Sequence, residues 1–464
     1  MARPSTITPD SLVPLLRQRG PVSATELAEA LRVNRTTVVR TLAGLGEALV
    51  TMGATRSTRY ALRRQIGNAG SHWPVYRIDE AGKAHPWGEI EALHEQQWRM
   101  TWAAEPPAWA RKCSDGEGVW NGFPFFLRDL RPGGFLGRFI ARHAAPTLSV
   151  PADPRAWSDD HTLLYLQAFG ENLPGSLVVG DDCLRRALQA AVHPTEAATV
   201  PESSRAVRYP ALAETPAASA PVSSVGGEQP KFLTSLLDPA GNTRAVIVKY
   251  SPPMDQATGR RWADLLLCEF HALEVLEAQG LALPGAKLYD FGNRRFLEIP
   301  RFDRCPRGGR RAVVSLAALH AATGGTGDHD WPAAVRTLHR TGWLDEDAAS
   351  TTLRLHAFGE LIGNTEMHHD NLSLCMADAL PWRIAPAYDM LPMLWAPQHH
   401  GEITPRPFAP APPIPATLPL WLQAAEWAAA FWNRLSADPR LSQDFSPIAR
   451  QSHATLQRLR SHLT

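Results

Sequence analysis

Lysine is scarce in this chain. Only five of the 464 residues are lysines, so arginine carries most of the positive charge: the lysines are Lys83, Lys112, Lys231, Lys249 and Lys287. Arginine is planar and always charged, whereas lysine offers a compact ammonium on a flexible stem. A lysine kept against this preference is therefore a candidate for a role that arginine would not fill.

Long apolar runs and paired cysteines are lacking as well. No run approaches the roughly 18–20 apolar residues of a membrane-spanning helix, and the first residues, MARPSTITPD, lack the apolar core of a signal peptide. The five cysteines lie far apart without a CxxC pair, which predicts free thiols rather than a disulfide framework or a zinc finger. We therefore expect a cytoplasmic protein.

The net charge of the whole chain is only +1, but its first 64 residues carry ten arginines and four acidic residues. Such a local surplus indicates a nucleic-acid partner. The same segment shows three blocks of helical periodicity. Ser23 and Glu26 have the spacing of a capping box before the second block. Asn34 is a candidate N-cap for the third block, in which Val38 and Val39 belong to the apolar stripe.

An alternating segment with a glycine turn, ALVTMGATRSTRYALRR, follows the third block and predicts a hairpin. Three short helices and a basic hairpin make a winged helix-turn-helix, which we place at residues 1–66. In that arrangement the third helix enters the major groove and the wing contacts the DNA backbone or minor groove. The predicted DNA-contacting residues are Arg35, Thr36, Thr37, Arg40, Arg56 and Arg59. The alternative is a helical protein-interaction module with a solvated arginine face.

The rest of the chain is mixed in character. Residues 67–150 predict strands and short helices, with Trp87, Trp98, Trp102 and Trp109 in the core rather than on a binding platform. Residues 192–223 are rich in Pro, Ala and Ser without periodicity, which predicts a surface loop or linker. Strands around one helix are expected over 224–305, and helices from 311 onward, apart from a hairpin at 372–388.

A glycine-bearing turn, SVGGEQPK, spans residues 224–231 before an apolar strand. Gly226 and Gly227 allow backbone N–H groups to approach phosphate oxygens closely, and Lys231 adds a compact charge. Alone this turn is a weak signal, because many Gly-Gly turns bind nothing.

A second strand, AVIVK, ends in Lys249. Kinases use a lysine projecting from a buried strand to hold the α- and β-phosphates of ATP. The alternative is a lysine at a sheet edge whose head reaches solvent. Glu269, on the helix that follows, is the candidate partner for this ammonium, and Glu274 is the second choice.

Glu366 precedes Asn371 by five residues in the segment LIGNTEMHHDNLSL, and Asp389 follows a predicted hairpin. Phosphotransferases place a catalytic carboxylate five residues before an asparagine that binds Mg²⁺. Asn371 and Asp389 offer the hard oxygen ligands that Mg²⁺ prefers. No HExxH pair is present near the clustered His368 and His369, which argues against a zinc hydrolase.

The segments SVGGEQPK, VIVKY, LCEFHALEVLEAQGL, PRFDR, IGNTEMHHDNLSL and PAYDMLP resemble the HipA family of serine/threonine kinase toxins. FFLRDLRPGGFLGR and LPGSLVV resemble its N-terminal subdomain, and the leading helix-turn-helix resembles the HipH/YjjJ branch. The resemblance implies an α+β fold with a two-lobed kinase behind the DNA-binding domain. It suggests a subdomain at 67–150, an N-lobe at 151–310 and a helical C-lobe at 311–464.

The family's roles transfer onto matching positions of this sequence. The resemblance implies that Lys249 holds the phosphates of ATP and that Asn371 and Asp389 bind Mg²⁺. It also implies autophosphorylation in the glycine-rich loop, on Ser224 with Ser223 as the neighbouring alternative. The hinge that grips adenine would use the Pro300 carbonyl and the Phe302 N–H. The implied partners are DNA, a protein substrate such as an aminoacyl-tRNA synthetase, and a second copy of the chain, with translation arrest and persistence as the outcome.

One position departs from the family, whose catalytic base is aspartate where this chain has Glu366. A displacement of about 1 Å can lower the rate about 100-fold. Glutamate has a similar pKa and can still orient a hydroxyl group. Three hypotheses follow: an active kinase toxin, a DNA-binding transcriptional regulator with an attenuated or dead kinase domain, and a small-molecule phosphotransferase.

Overall fold

A computed structural model of the chain describes residues 7–195, 199–214, 229–325, 330–398 and 401–463. Within these ranges no helix is both long and apolar enough to cross a membrane. All five cysteines are free thiols, as predicted.

The first domain is a winged helix-turn-helix, which confirms the prediction. Its elements are α1 (Pro9–Arg19), β1 (Val22–Ser23), α2 (Ala24–Leu31), α3 (Arg35–Leu42), β2 (Leu49–Met52) and β3 (Arg59–Leu62). The strands form a sheet in the order β1-β3-β2. Ser23 and Glu26 form the expected capping box, with the Glu26 N–H donating to Ser23 Oγ at 3.2 Å and the Ser23 N–H donating to Glu26 Oε2 at 2.7 Å.

The third helix departs from the prediction at Val39 and in part at Asn34. Asn34 occupies the N-cap position of α3, as predicted, but its side chain makes no capping hydrogen bond. Val39 was assigned to the apolar stripe, yet 39% of it is exposed, whereas Val38 is fully buried. Val39 lies about 100° around the helix from Val38, which turns it away from the buried side. The α-helix ends at Leu42, and the 3-10 segment that follows from Ala43 to Ala48 is broken at Gly46, where φ is 52°.

The second domain is built on a five-stranded antiparallel sheet in the order β7-β6-β5-β4-β8. The strands are β4 (His72–Ile78), β5 (Ala84–Ala92), β6 (Gln97–Trp102), β7 (Val119–Asn121) and β8 (Leu177–Val179). The helices are α4 (Ala110–Cys113), α5 (Phe125–Arg128), α6 (Gly134–Leu148), α7 (Asp159–Phe169) and α8 (Asp181–Val192). β8 lies beyond the boundary suggested at residue 150 but closes this sheet by pairing with β4. The tryptophans form its core, as expected, with Trp98 and Trp109 fully buried.

The wing of the first domain packs directly on the second domain. Val50, Met52 and Ala61 on β2 and β3 form one buried cluster with Leu93 and Val119. Immediately after β3, the backbone of Arg63 bridges to Leu93, and its guanidinium contacts Glu91 at 2.7 Å. The DNA-binding fold is therefore joined to the rest of the chain through a shared apolar interface.

The N-lobe contains a five-stranded sheet in the order β12-β13-β11-β10-β9. Its elements are β9 (Thr199–Pro201), α9 (Arg205–Glu214), β10 (Lys231–Leu237), β11 (Thr243–Tyr250), α10 (Ala257–Glu277), β12 (Lys287–Phe291) and β13 (Arg294–Pro300). The prediction that residues 192–223 form a loop or linker was wrong for much of that range, because it contains β9 and α9. Arg205 and Tyr209 of α9 are buried, and both bond Glu298, which is itself fully buried on β13.

The C-lobe is mainly helical and contains one small sheet in the order β14-β15-β16. Its elements are β14 (Val313–Ser315), α11 (Leu316–Ala322), α12 (Trp331–Arg340), α13 (Glu346–Ile362), β15 (Ser373–Cys375), β16 (Arg383–Ile384), α14 (Leu418–Ala437) and α15 (Ser446–Leu463). β15 and β16 form the hairpin expected within 372–388. Asp129, which follows α5, reaches into this lobe and accepts the Ser315 N–H at 2.7 Å.

Candidate active site

Lys231 and Lys249 are brought together by the register of two strands. β10 and β11 are antiparallel, and Lys231 lies opposite Lys249 in the pairing. Because side chains directly opposite each other point to the same face of a sheet, both ammonium groups project to one side. Both residues are almost fully buried, at 1% and 4% exposure. Buried lysines are rare unless they are paired with an opposite charge.

The charges that oppose these lysines come from two other elements. The Lys249 ammonium contacts Glu269 Oε1 on α10 at 2.5 Å, and it also bonds Asp389 Oδ1. Glu274, the second choice for this pair, instead contacts His271 Nδ1 at 3.0 Å. Lys249, Glu269 and Asp389 thus connect β11, α10 and the segment after β16 at a single point.

The pKa values of this group follow from burial and mutual attraction. Burial would lower the pKa of Lys249, but the Asp389 and Glu269 carboxylates outweigh it, so the pKa is raised. Burial would raise the pKa of Asp389, but the Lys249 and Lys231 ammonium groups outweigh it, so the pKa is lowered. Burial dominates at Glu269, whose pKa is raised although Lys249 favours its charged form. The cation and the Asp389 carboxylate are therefore both held ionised.

Glu366 and Asn371 lie on the loop that follows α13. The Asn371 Nδ2 group donates to the Glu366 backbone carbonyl at 2.7 Å, so the five-residue spacing closes a hydrogen-bonded loop. This bond fixes the amide orientation and leaves Oδ1 as the atom that can bind a cation. The Glu366 residue is exposed, where a substrate hydroxyl can reach it. The Asp389 carboxylate and the Asn371 amide oxygen fit the donor preference of Mg²⁺.

Two residues that the sequence analysis did not single out connect these parts. Asn364 accepts the Glu366 N–H at 3.0 Å and donates to the Asp389 carbonyl at 3.3 Å. Tyr388 stacks on Phe302 with ring centroids 5.7 Å apart, and its hydroxyl donates to the Asp370 carbonyl at 2.8 Å. In the sequence, these residues are marked only by their positions: Asn364 directly follows the helix-ending Gly363, and the aromatic Tyr388 directly precedes Asp389.

Asp389 itself has a positive φ of 54°, a conformation that residues other than glycine rarely adopt. Backbone strain of this kind persists only where the surroundings hold it, and it concentrates at functional sites. Pro300 is the last residue of β13, and Phe302 lies just beyond it. The intervening Arg301 N–H bonds the Ala245 carbonyl at 3.0 Å. The predicted hinge is thus adjacent to the aromatic ring that precedes Asp389.

The glycine-rich loop lies outside the described residues. That range includes the predicted phosphosites and phosphate-binding glycines, namely Ser223, Ser224, Gly226 and Gly227. The described part of the chain resumes at Gln229, two residues before Lys231.

The predicted DNA-contacting residues divide into two groups. Arg35, Thr36 and Arg40 on α3 are exposed, and Thr37 is half-buried. Arg59 on β3 is engaged within the protein, because its guanidinium donates to the Pro21 carbonyl at 2.5 Å and lies 3.8 Å from Asp115 of the second domain. The backbone of Arg56 lies in a short 3-10 turn between β2 and β3.

Comparison with known proteins gives three family matches. An HTH domain matches residues 11–60, a YjjJ-like toxin middle domain matches residues 69–188, and a HipA-like C-terminal domain matches residues 223–456. Toxin YjjJ of Escherichia coli (strain K12) is 34% identical over 443 residues, covering 95% of this chain and 96% of that protein. Putative kinase Y4dM of Sinorhizobium fredii is 25% identical over 309 residues, covering 61% of this chain and 64% of that protein.

Two solved structures are also similar. A chain of the Shewanella oneidensis MR-1 toxin–antitoxin complex of HipA, HipB and operator DNA has a TM-score of 0.49 at 17% identity, over 83% of this chain and 96% of that one. The Helicobacter pylori proinflammatory kinase CtkA has a TM-score of 0.34 at 13% identity, over 51% of this chain and 89% of that one.

Proposed function

Because the chain belongs to the HipA-like toxins that carry their own N-terminal helix-turn-helix domain, we propose that it is an ATP-dependent serine/threonine protein kinase that also binds DNA. The observation that carries the proposal is the contact of Lys249 with both Glu269 and Asp389. A strand lysine, a helix glutamate and a candidate metal-binding aspartate meet at one point, the arrangement that protein kinases use for phosphoryl transfer.

Each residue of the site has a distinct task in this proposal. Lys249 and Lys231 bind the phosphates of ATP, and the backbone at Gly226 and Gly227 covers them. The Pro300 carbonyl and the Phe302 N–H bind the adenine. Asn371 and Asp389 hold Mg²⁺, which when bound offsets the negative charge of the phosphates.

Glu366 is the proposed catalytic base. It orients the substrate hydroxyl group and accepts its proton while the hydroxyl oxygen attacks the γ-phosphorus of ATP. The bond from that phosphorus to the β–γ bridging oxygen breaks, and ADP leaves. Ser224, and after it Ser223, is the proposed autophosphorylation site. A phosphate there adds about −1.5 to −2 charges beside the proposed phosphate-binding site and is expected to inhibit ATP binding.

The DNA-binding surface is the exposed face of α3, with Arg35 and Arg40 as the charged contacts. We propose that two copies of the chain bind the operator as a dimer. The protein substrate that the family resemblance suggests is an aminoacyl-tRNA synthetase. Arginine contacts to phosphates release counterions, so binding is expected to weaken steeply with salt.

The decisive experiment incubates the full chain with γ-labelled ATP and Mg²⁺ and maps the phosphorylated residues by mass spectrometry. We expect label on the chain itself, and loss of transfer and of Mg²⁺-dependent ATP binding in Asp389→Ala. Asp347→Ala, which removes a carboxylate that is 92% exposed on α13, is the matched control. Absence of both transfer and Mg²⁺-ATP binding would contradict the kinase. Binding without transfer would favour the alternative, a DNA-binding transcriptional regulator with a dead kinase domain.

A further inference from the structure

We propose that Asn364 is a positioning residue that sets the placement of the base loop relative to the metal-binding loop. The inference rests on the kinase function proposed above and concerns two segments of that site, the Glu366 loop and the Asp389 turn. The Asn364 side chain is hydrogen-bonded to both segments, to the Glu366 N–H and to the Asp389 carbonyl.

The backbone of Asn364 is fixed before its side chain acts. α13 ends at Ile362, and Gly363 takes a left-handed conformation with φ 80° that terminates the helix. The Asn364 N–H then bonds the Gly359 carbonyl at 2.8 Å, and the Gly363 carbonyl accepts the Leu394 N–H at 3.0 Å. The residue therefore starts from a rigid helix end, and it is only 4% exposed.

The two partners of the amide determine its orientation. The Glu366 N–H can only donate, so it must face Oδ1, at 3.0 Å. The Asp389 carbonyl can only accept, so it must face Nδ2, at 3.3 Å. One planar amide group thus links the Glu366 loop to the Asp389 turn, which lies 25 residues beyond Asn364 in sequence. Neither bond can form with the amide reversed.

The Asn364 side chain bonds a backbone peptide group at each end of the bridge, one at Glu366 and one at Asp389. The Glu366 peptide is held at its N–H by Asn364 and at its carbonyl by Asn371. Asp389 has the strained φ of 54°, and its carbonyl is the atom that Asn364 holds. Without the bridge, the Asp389 turn can relax toward a less strained conformation, and its carboxylate would move with it.

Two substitutions separate the two bonds. Asn364→Asp keeps an acceptor for the Glu366 N–H but places an oxygen opposite the Asp389 carbonyl. We expect it to weaken the apparent Mg²⁺ affinity, measured with ATP present, about tenfold, the equivalent of one hydrogen bond, with a smaller loss in kcat at saturating Mg²⁺. Asn364→Ala removes both bonds, and a displacement of about 1 Å is expected to lower kcat by about 100-fold. Thr365→Ala, the exposed neighbouring residue, is the control.

A second background tests whether Asn364 acts through Glu366. In Glu366→Gln the base is already absent, so adding Asn364→Ala should lower the residual transfer rate no further at saturating Mg²⁺. A purely structural role would lower it by the same factor in both backgrounds. If Asn364→Asp melts below the assay temperature, Asn364→Ser replaces it, since a serine hydroxyl is too short to bridge both loops.

The outcomes keep this inference separate from the proposed function. Wild-type kcat and Mg²⁺ affinity in both Asn364 variants would overturn the positioning role. A wild-type chain that neither transfers phosphate nor binds Mg²⁺-ATP would instead overturn the kinase proposal. If the wild type binds Mg²⁺-ATP without transfer, the Mg²⁺ titration of Asn364→Asp still decides whether the Asp389 turn depends on Asn364.

Discussion

Lys231 and Lys249 lie directly opposite each other on adjacent strands, and both are buried. Two ammonium groups on one face of a sheet repel unless carboxylates balance them. Glu269 and Asp389 supply that balance, since both lysine ammonium groups favour the ionised form of each carboxyl group. The two cations and the two carboxylates of this cluster therefore stabilise one another.

Removing one member of this set should destabilise the fold. Lys249→Met is expected to lower the free energy of unfolding by about 3–5 kcal/mol, because it leaves the fully buried Glu269 carboxylate without its cation. Adding Glu269→Gln should recover part of that loss. Thermal unfolding of the single and double variants measures both effects, with the exposed Lys287→Met as control. Equal melting temperatures for Lys249→Met and Lys287→Met would contradict the pairing.

Substitutions of Glu366 should separate a working base from a decayed one. For a working base, Glu366→Gln lowers phosphoryl transfer to a small residual rate and leaves ATP affinity nearly unchanged, while Glu366→Asp keeps or raises the rate. Transfer rates and ATP titrations on the same preparations measure the two effects. Transfer that is unchanged in Glu366→Gln would show that another group takes the proton or that none is needed.

The DNA contacts should follow the division between α3 and the wing. Arg40→Gln is expected to reduce the slope of log affinity against log salt by about 0.9, the loss of one phosphate contact. Arg59→Gln should leave that slope unchanged, because its guanidinium is bonded to the Pro21 carbonyl. Fluorescence anisotropy with a labelled duplex, using the full chain between about 50 and 200 mM salt, tests the pair. Equal slope changes would mean that the wing also contacts the backbone.

Asp129 should make the stability of the chain depend on pH. Its burial, only partly offset by hydrogen bonds from Ser315, raises its pKa to about 6. The folded chain therefore keeps a proton that the unfolded chain releases above about pH 4. Stability is thus lost as the pH rises from about 4 through 6, by at most about 3 kcal/mol.

Asp129→Asn removes this ionisation while keeping an acceptor for the Ser315 N–H. The melting temperature of the variant should therefore exceed that of the wild type by more at pH 7 than at pH 4.5. Differential scanning calorimetry at the two pH values measures the difference. A constant difference would show that Asp129 does not titrate in this range.

The sequence predicted those features that depend on local spacing. The Ser23 capping box, the winged helix and the hairpin before Asp389 all follow from short-range patterns. Helix α9 did not, because its Pro- and Ala-rich sequence resembles a linker, and its stability comes from Arg205 and Tyr209 binding Glu298 about 90 residues away. Asn364 and Tyr388 were missed for the same reason, since their partners are defined only by the tertiary fold.

The packing of the wing against the second domain has a consequence for operator geometry. Flexible linkers let two DNA-reading heads reach half-sites at a range of separations. Here the wing packs on the second domain through the buried cluster of Val50, Met52, Ala61, Leu93 and Val119. The residue after β3, Arg63, already pairs with Leu93 of that domain, so no flexible linker separates the two domains. If the proposed dimer binds one operator, its two helix-turn-helix domains would therefore require one fixed separation and one helical phase between the half-sites. Inserting half a helical turn of DNA between the half-sites would then lower the affinity for the operator as much as mutating one half-site.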